Sequence, residues 1–409
     1  MQSIATFDPT DPDFLSNRFP TYRDLRDNAP VSHTVINGKP ITVLSRYSDV
    51  SRVFKTPSAR VQPHPGEFPE HIGSGPASQF YRLSLPEMDP PSHTRLRKLA
   101  SSAFSGRAMK AMRPWVEEII AAGIDRLAAL DTDADFVSEF ATKVPAEIAC
   151  RLLHAPAADA DTVLERMPAL NAVLSHSEVD PERLVAADEA AQFYFDYIGD
   201  IIDSLRGKLS SDDAVGALLE AEEDGTKLTR DELVITLVGF FVASYHTTMV
   251  AMTNAVHALL HHRDQFQKLA DNPDLAPQAW EEVLRFNSPV HFLQRYAGQD
   301  MHFHGEDIPA GTHMLLAIAA ANRDERAFEN PDTLDIERKS NRHLAFAAGG
   351  HFCLGAPLSR IEGDIFLRLL PNRLPHIELA EPPAAWGQDL TFPSLPSLIV
   401  NAVLRPQPL

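Results

Sequence analysis

Phe346-Ala-Ala-Gly-Gly-His-Phe-Cys-Leu-Gly-Ala356 is the stretch on which the reading of this chain turns. Its cysteine, Cys353, comes just before the helical run Pro357–Leu370. A thiol there meets unsatisfied amide N–H groups and the positive end of a helix dipole, and both favour the thiolate. Gly349, Gly350 and Gly355 lack a Cβ, so the backbone can come close to whatever packs against it. The plainer alternative is a buried cysteine beside a glycine-rich turn. The other cysteine, Cys150, closes the amphipathic run Val144–Cys150 and reads as core packing. No disulfide is expected between two thiols so distant in a chain without an export signal.

Working outward, helical periodicity dominates. Arg107–Leu130, Val163–Leu174, Glu189–Leu205, Asp231–Leu260 and Gln278–Phe286 carry apolar residues at three- and four-residue spacing. Thr229 and Glu232 form a capping-box pattern ahead of the longest of these. Strand signals are few: Val35–Val43 reads as a hairpin about Asn37-Gly38, and His302–Leu316 as strands turning at Gly305 and Gly311. The expected fold is mainly α with small β-sheets. Neither Pro63–Ser78 nor Glu220–Asp224 separates two self-sufficient hydrophobic patterns, so one domain over residues 1–409 is expected. A chain of that size can bury a cofactor-sized cavity.

A net charge of −19 argues against nucleic acid and anionic membranes as partners, since both reward positive fields. Met1–Pro20 is polar and acidic and reads as neither signal nor anchor. The apolar run Leu233–Ala243 is interrupted by Thr236 and reads as a buried helix too short to span a bilayer. These features lead one to expect a soluble, cytoplasmic protein.

The cysteine stretch resembles the ligand loop of the cytochrome P450 superfamily, Phe-x-x-Gly-x-His-x-Cys-x-Gly, at Phe346, Gly349, His351, Cys353 and Gly355. The resemblance implies that fold, with haem b (iron protoporphyrin IX) held by the Cys353 thiolate. A thiolate neutralises the ferric porphyrin and pushes electron density toward bound oxygen. It implies Phe346 as a shield for the sulfur, and His93, Arg97, Arg295 and His351 as partners of the haem propionates. Glu282 and Arg285, in Glu282-Val-Leu-Arg285, match the family's Glu-x-x-Arg pair, and Arg338 matches the arginine that closes a buried network behind the haem. For any one of these cations a solvated surface position is the plainer reading; together and in this order they read as a clamp.

In the long helix the chain departs from the family. The usual Ala-Gly-x-acid-Thr-Thr is Ala243-Ser244-Tyr245-His246-Thr247-Thr248 here. Thr247 and Ala243 remain, Ser244 replaces glycine and His246 replaces the acid. Histidine can relay protons near neutral pH, so His246 is expected as the relay, with Ser244 holding an extra water; the competing role is a pocket wall. Pocket-lining expectations are Phe240, Ala243, Ser244, Val290, Phe292, Leu293, Ser394 and Leu395. They favour an apolar terpenoid, steroid, polyketide or aromatic substrate. The implied activity is a monooxygenase fed from NAD(P)H through a ferredoxin or similar donor and its reductase, with Arg95, Arg97, Lys98, Arg107, Lys110 and Arg113 as a candidate docking patch. The rivals are atypical or peroxide-driven chemistry on the same fold, motivated by His246, and a haem-free interaction module, against which Cys353, His351 and Arg97 speak.

Overall fold

The hairpin expected around Gly38 forms, with that glycine at φ +71° between β1 (Val31–Ile36) and β2 (Lys39–Leu44). Gly305 and Gly311 turn the chain at φ +86° and +87°. They join β6 (Met301–Phe303), β7 (Glu306–Ile308) and β8 (His313–Ala317), which follow β3 (Ala59–Arg60), β4 (Ala134–Asp135) and β5 (Phe292–Ala297). The computed structural model describes residues 7–402, apart from 37, 65, 69–71, 131–132, 172–180 and 224–226. Two compact units emerge: residues 1–59, 115–144 and 246–409, and residues 60–114 and 145–245.

The first unit carries a mixed sheet in the order β1-β2-β8-β5-β3, with β8 parallel to β2 and antiparallel to β5. Alternate residues of β8 point to opposite faces. Met314 and Leu316 join one buried cluster with Val31, Leu44 and Phe54, while Leu315 and Ala317 join another with Tyr22, Val43 and Phe292. Burial of both faces explains why the strand reads as a continuous apolar run. A second small sheet pairs β10 (Ile399–Asn401) with β4 and with β9 (Glu378–Leu379). The same unit holds a close helix pair, Ala276–Phe286 and Ala356–Arg373. Gly363 makes the approach possible, since a Cβ there would fall 2.0 Å from the Trp280 ring.

The second unit is helical. The helix predicted from Glu189 begins at Pro181, because Pro at the first turn and the acidic Glu182 extend it without adding apolar periodicity. The helix predicted over 163–174 spans Ala160–Asn171, and residues 172–174 lie outside the described residues. Asp188 caps the Pro76–Leu83 helix by accepting the Ala77 N–H at 2.9 Å. Cys150 is buried, and burial pushes its thiol up to about 11, so it stays a packing residue.

The long helix runs unbroken over Arg230–His261. Its capping box is made: the Thr229 N–H donates to the Glu232 carboxylate at 2.8 Å, and the Glu232 N–H to the Thr229 hydroxyl at 3.2 Å. The expectation that this segment is too short for a bilayer needs correcting. By length and composition the helix could cross one, but Leu233, Val238, Val250, Val256 and Leu259 are all buried within the protein.

Candidate active site

The cysteine loop is closed by its own backbone. The Cys353 N–H donates to the Phe346 carbonyl at 2.9 Å, and the Phe352 N–H to the Gly349 carbonyl at 3.1 Å. Closing so tight a loop requires left-handed backbone at Ala347 (φ +55°) and Gly349 (φ +70°). Gly349 is needed twice over, since a Cβ there would lie 2.1 Å from the Phe54 carbonyl oxygen. The Ala356–Arg373 helix begins directly after Gly355, so Cys353 sits at a helix N-terminus. Unlike Cys150, Cys353 is partly accessible, with Phe346 buried beside it. Arg295 joins this loop through Phe54: its guanidinium lies 5.2 Å from that ring's centre.

Behind the loop, Glu282 and Arg285 are both fully buried and share two hydrogen bonds of 2.7 Å. Arg338 adds a third partner, with Nε 3.0 Å from Glu282 Oε2, and Asn341 donates to the same oxygen at 3.1 Å. Arg285 spends its remaining donors on the carbonyls of Asn322, Pro331 and Thr333. Because each charged member is paired, such a network is tolerable in the interior.

Midway along the buried long helix, Gly239, Phe240, Ser244 and Thr247 are half-buried and Ala243 is exposed. Gly239 has nothing within 4 Å of where a Cβ would stand. At Gly350, in the cysteine loop, there is also open space. A partly accessible sulfur at a helix N-terminus, with open space at Gly350 in the same loop, is what a flat cofactor would need, so the residues of the cysteine loop fit a haem.

Burial lowers the pKa of His246, favouring its neutral ring, although Asp389 opposes the effect. The ring lies edge-on to Phe392, centroids 5.4 Å apart, and makes no hydrogen bond among the described residues. Ser244 donates its hydroxyl to the Phe241 carbonyl at 3.1 Å, which leaves its oxygen as an acceptor. The sequence reading missed a different acid, Glu362. It is buried, accepts from the Thr248 hydroxyl at 3.4 Å, and has its other oxygen unpartnered. Burial pushes its carboxyl up to about 8, so it carries a proton at neutral pH. The signal was present: Leu358, Glu362, Ile365 and Phe366 fall on one helical face, and an acid in an apolar stripe is rarely idle.

Other expected residues divide between the units. His93 and Arg97 lie one turn apart on the Ser92–Ala100 helix of the second unit, His93 buried. Arg295 and His351 belong to the first. Phe240 stacks edge-on with Phe104 at 5.0 Å in the second unit. Phe292 is not a pocket residue: it is fully buried against Phe7 and Tyr22, on the strand face opposite Leu293. Val290 and Leu293 pack partly exposed against the other cluster. Leu395 is buried as well, whereas Ser394 keeps some exposure.

A sequence-family model described as Cytochrome P450 matches residues 17–374. The chain is 35% identical over 370 residues to mycinamicin IV hydroxylase/epoxidase of Micromonospora griseorubida, covering 88% of this chain and 89% of that protein. It is 36% identical to vitamin D(3) 25-hydroxylase of Pseudonocardia autotrophica, covering 90% and 89%. Among solved structures, P450BioI in complex with a fatty-acyl-ligated acyl carrier protein superposes with TM-score 0.87 at 29% identity, covering 95% of this chain and all of that one.

Proposed function

This chain belongs to the cytochrome P450 family, and on that premise we propose that Cys353 holds the iron of haem b as a thiolate. The chain is a haem-thiolate monooxygenase, an oxidoreductase that incorporates oxygen from dioxygen into an organic substrate. Its relatives are named as hydroxylases and an epoxidase, which favours oxygen insertion over isomerising or peroxide-driven chemistry. When bound, the haem supplies the redox chemistry that activates dioxygen.

The chain's own residues do the rest. Cys353 is kept as thiolate by the helix start behind it, and Phe346 keeps water from the sulfur. His93, Arg97, Arg295 and His351 bind the propionates. The Thr247 hydroxyl serves as donor on the substrate side of the helix. Glu362 holds the proton that the missing helix acid would otherwise carry and passes it by way of the Thr248 hydroxyl. His246, neutral and packed on Phe392, serves as a wall that offers a ring nitrogen to a substrate. With Val290 and Leu293 of the same unit it suits an apolar substrate.

Two electrons per turnover come from a ferredoxin-type donor and its reductase, in the cytoplasm. The basic segment is a weaker docking patch than its sequence implied, because Arg95 is paired with Glu232 and Arg107 with Asp212. Lys98, Lys110 and Arg113 are exposed as well.

The observation that carries this reading is the self-closed loop that presents Cys353 at a helix N-terminus. Carbon monoxide difference spectra test it. Cys353→Ser should lose the red-shifted Soret band that thiolate ligation produces, and Cys150→Ser should keep it. Retention of the band in Cys353→Ser would remove the basis of the assignment.

A further inference from the structure

Glu281, next to the buried Glu282, points to a different group of partners. Arg360 Nε and Nη2 donate to its two oxygens at 2.8 and 3.1 Å, a bidentate pair. His343 Nε2 lies 3.2 Å from Glu281 Oε2, on a side chain only 2% exposed. His343 Nδ1 accepts the Ala345 N–H at 3.2 Å, so the ring proton belongs on Nε2, facing Glu281. Burial would raise the Glu281 carboxyl, but the close approach of His343 and the bidentate hydrogen bonds from Arg360 outweigh it and hold it at about 2. The carboxylate is therefore charged at every working pH.

The three residues converge on Phe346. The Arg360 guanidinium lies 5.0 Å from the ring centre, and the His343 ring lies 5.7 Å from it. The Phe346 carbonyl is the one that receives the Cys353 N–H. Arg360 is the cation of this group, and the negative field of Cys353 adds to that of Glu281 in favouring its charged form. Its side chain is 47% exposed, so it acts on the cysteine through partly screened space.

We propose that Glu281 and Arg360 are positioning residues that hold Phe346 over the cysteine loop and set, through their charges, how readily the cysteine-ligated haem is reduced. This rests on Cys353 being the ligand. Reduction adds one negative charge beside the sulfur, so a nearby cation favours it and a nearby anion opposes it. The two members of one ion pair therefore act with opposite sign.

The test is the haem reduction potential of the purified holoenzyme, measured by equilibration with reference dyes. Arg360→Gln leaves Glu281 unneutralised and should lower the equilibrium constant for reduction roughly threefold, about 28 mV given about 59 mV per tenfold for one electron. Glu281→Gln should raise it by a similar factor. Arg360→Lys should stay near wild type, and the Glu281→Gln/Arg360→Gln double variant should return toward it. The shifts should shrink as salt is added. A merely structural pair would give a double variant at least as perturbed as either single one. Shifts of one sign in both single variants, or none in either, overturn the proposal. Should Arg360→Gln lose haem, the Glu281→Gln, Arg360→Lys and double variants still decide the sign. The carbon monoxide band of the wild type separates the two readings: its absence removes Cys353 as ligand and this proposal with it. With the band present and the potentials unsplit, only this proposal falls.

Discussion

A buried acid that keeps its proton has consequences at the level of a single side chain. Glu362 has a folded-state pKa of about 8 against an ordinary 4.5. A value raised on folding means that its stabilising contribution is complete below about 4.5 and lost as pH rises toward about 8. Urea midpoints of the wild type should fall across that window, and Glu362→Gln, which cannot ionise, should flatten the fall. An unaltered slope would show that the carboxyl ionises freely and is no proton store. The same variant should slow product formation by about tenfold or more, diverting electrons to peroxide. His246→Ala should instead weaken the substrate-induced Soret shift while keeping the peroxide-to-product ratio. For His246 the motif position suggests a relay, while its neighbours add what the sequence could not hold: a ring packed edge-on against Phe392, with burial favouring its neutral form.

Among elements, the cysteine loop is the most sharply constrained. Gly349→Ala would place a methyl 2.1 Å from the Phe54 carbonyl oxygen while holding an L-residue at φ +70°. The left-handed backbone alone costs about 1–3 kcal/mol, and the clash adds to it. Less haem-loaded protein and a lower thermal midpoint are expected, whereas Gly350→Ala, with open space around it, should be tolerated. Equal behaviour of the two variants in a thermal melt would contradict this account. Helix positions and both hairpin glycines were legible in the sequence because they depend on local periodicity and on φ. The early start of the Pro181–Leu205 helix was not, because its first turn packs little and leaves no apolar signal.

Across the whole molecule, stability leans on the network around Glu282. Glu282→Ala would leave Arg285 wholly buried without its carboxylate and Arg338 nearly so, at a cost of about 3–5 kcal/mol. Little folded, haem-loaded protein should be recovered, and a normal denaturation midpoint would show that the carbonyls around Arg285 suffice. By itself the sequence determined the family, the cysteine that can bind iron, the Glu282–Arg285–Arg338 set and the mainly helical fold. Each of these is written in fixed spacings that local backbone geometry imposes. Only the tertiary structure decided which face of β5 is core, where Phe292 vanishes behind Leu293. It also decided that Glu362 is buried against the Thr248 hydroxyl while His246 packs on Phe392, and that Glu281 and Arg360 meet over Phe346. These are relations between residues remote in the chain, and desolvation and pairing at such contacts arise only once packing has brought them together.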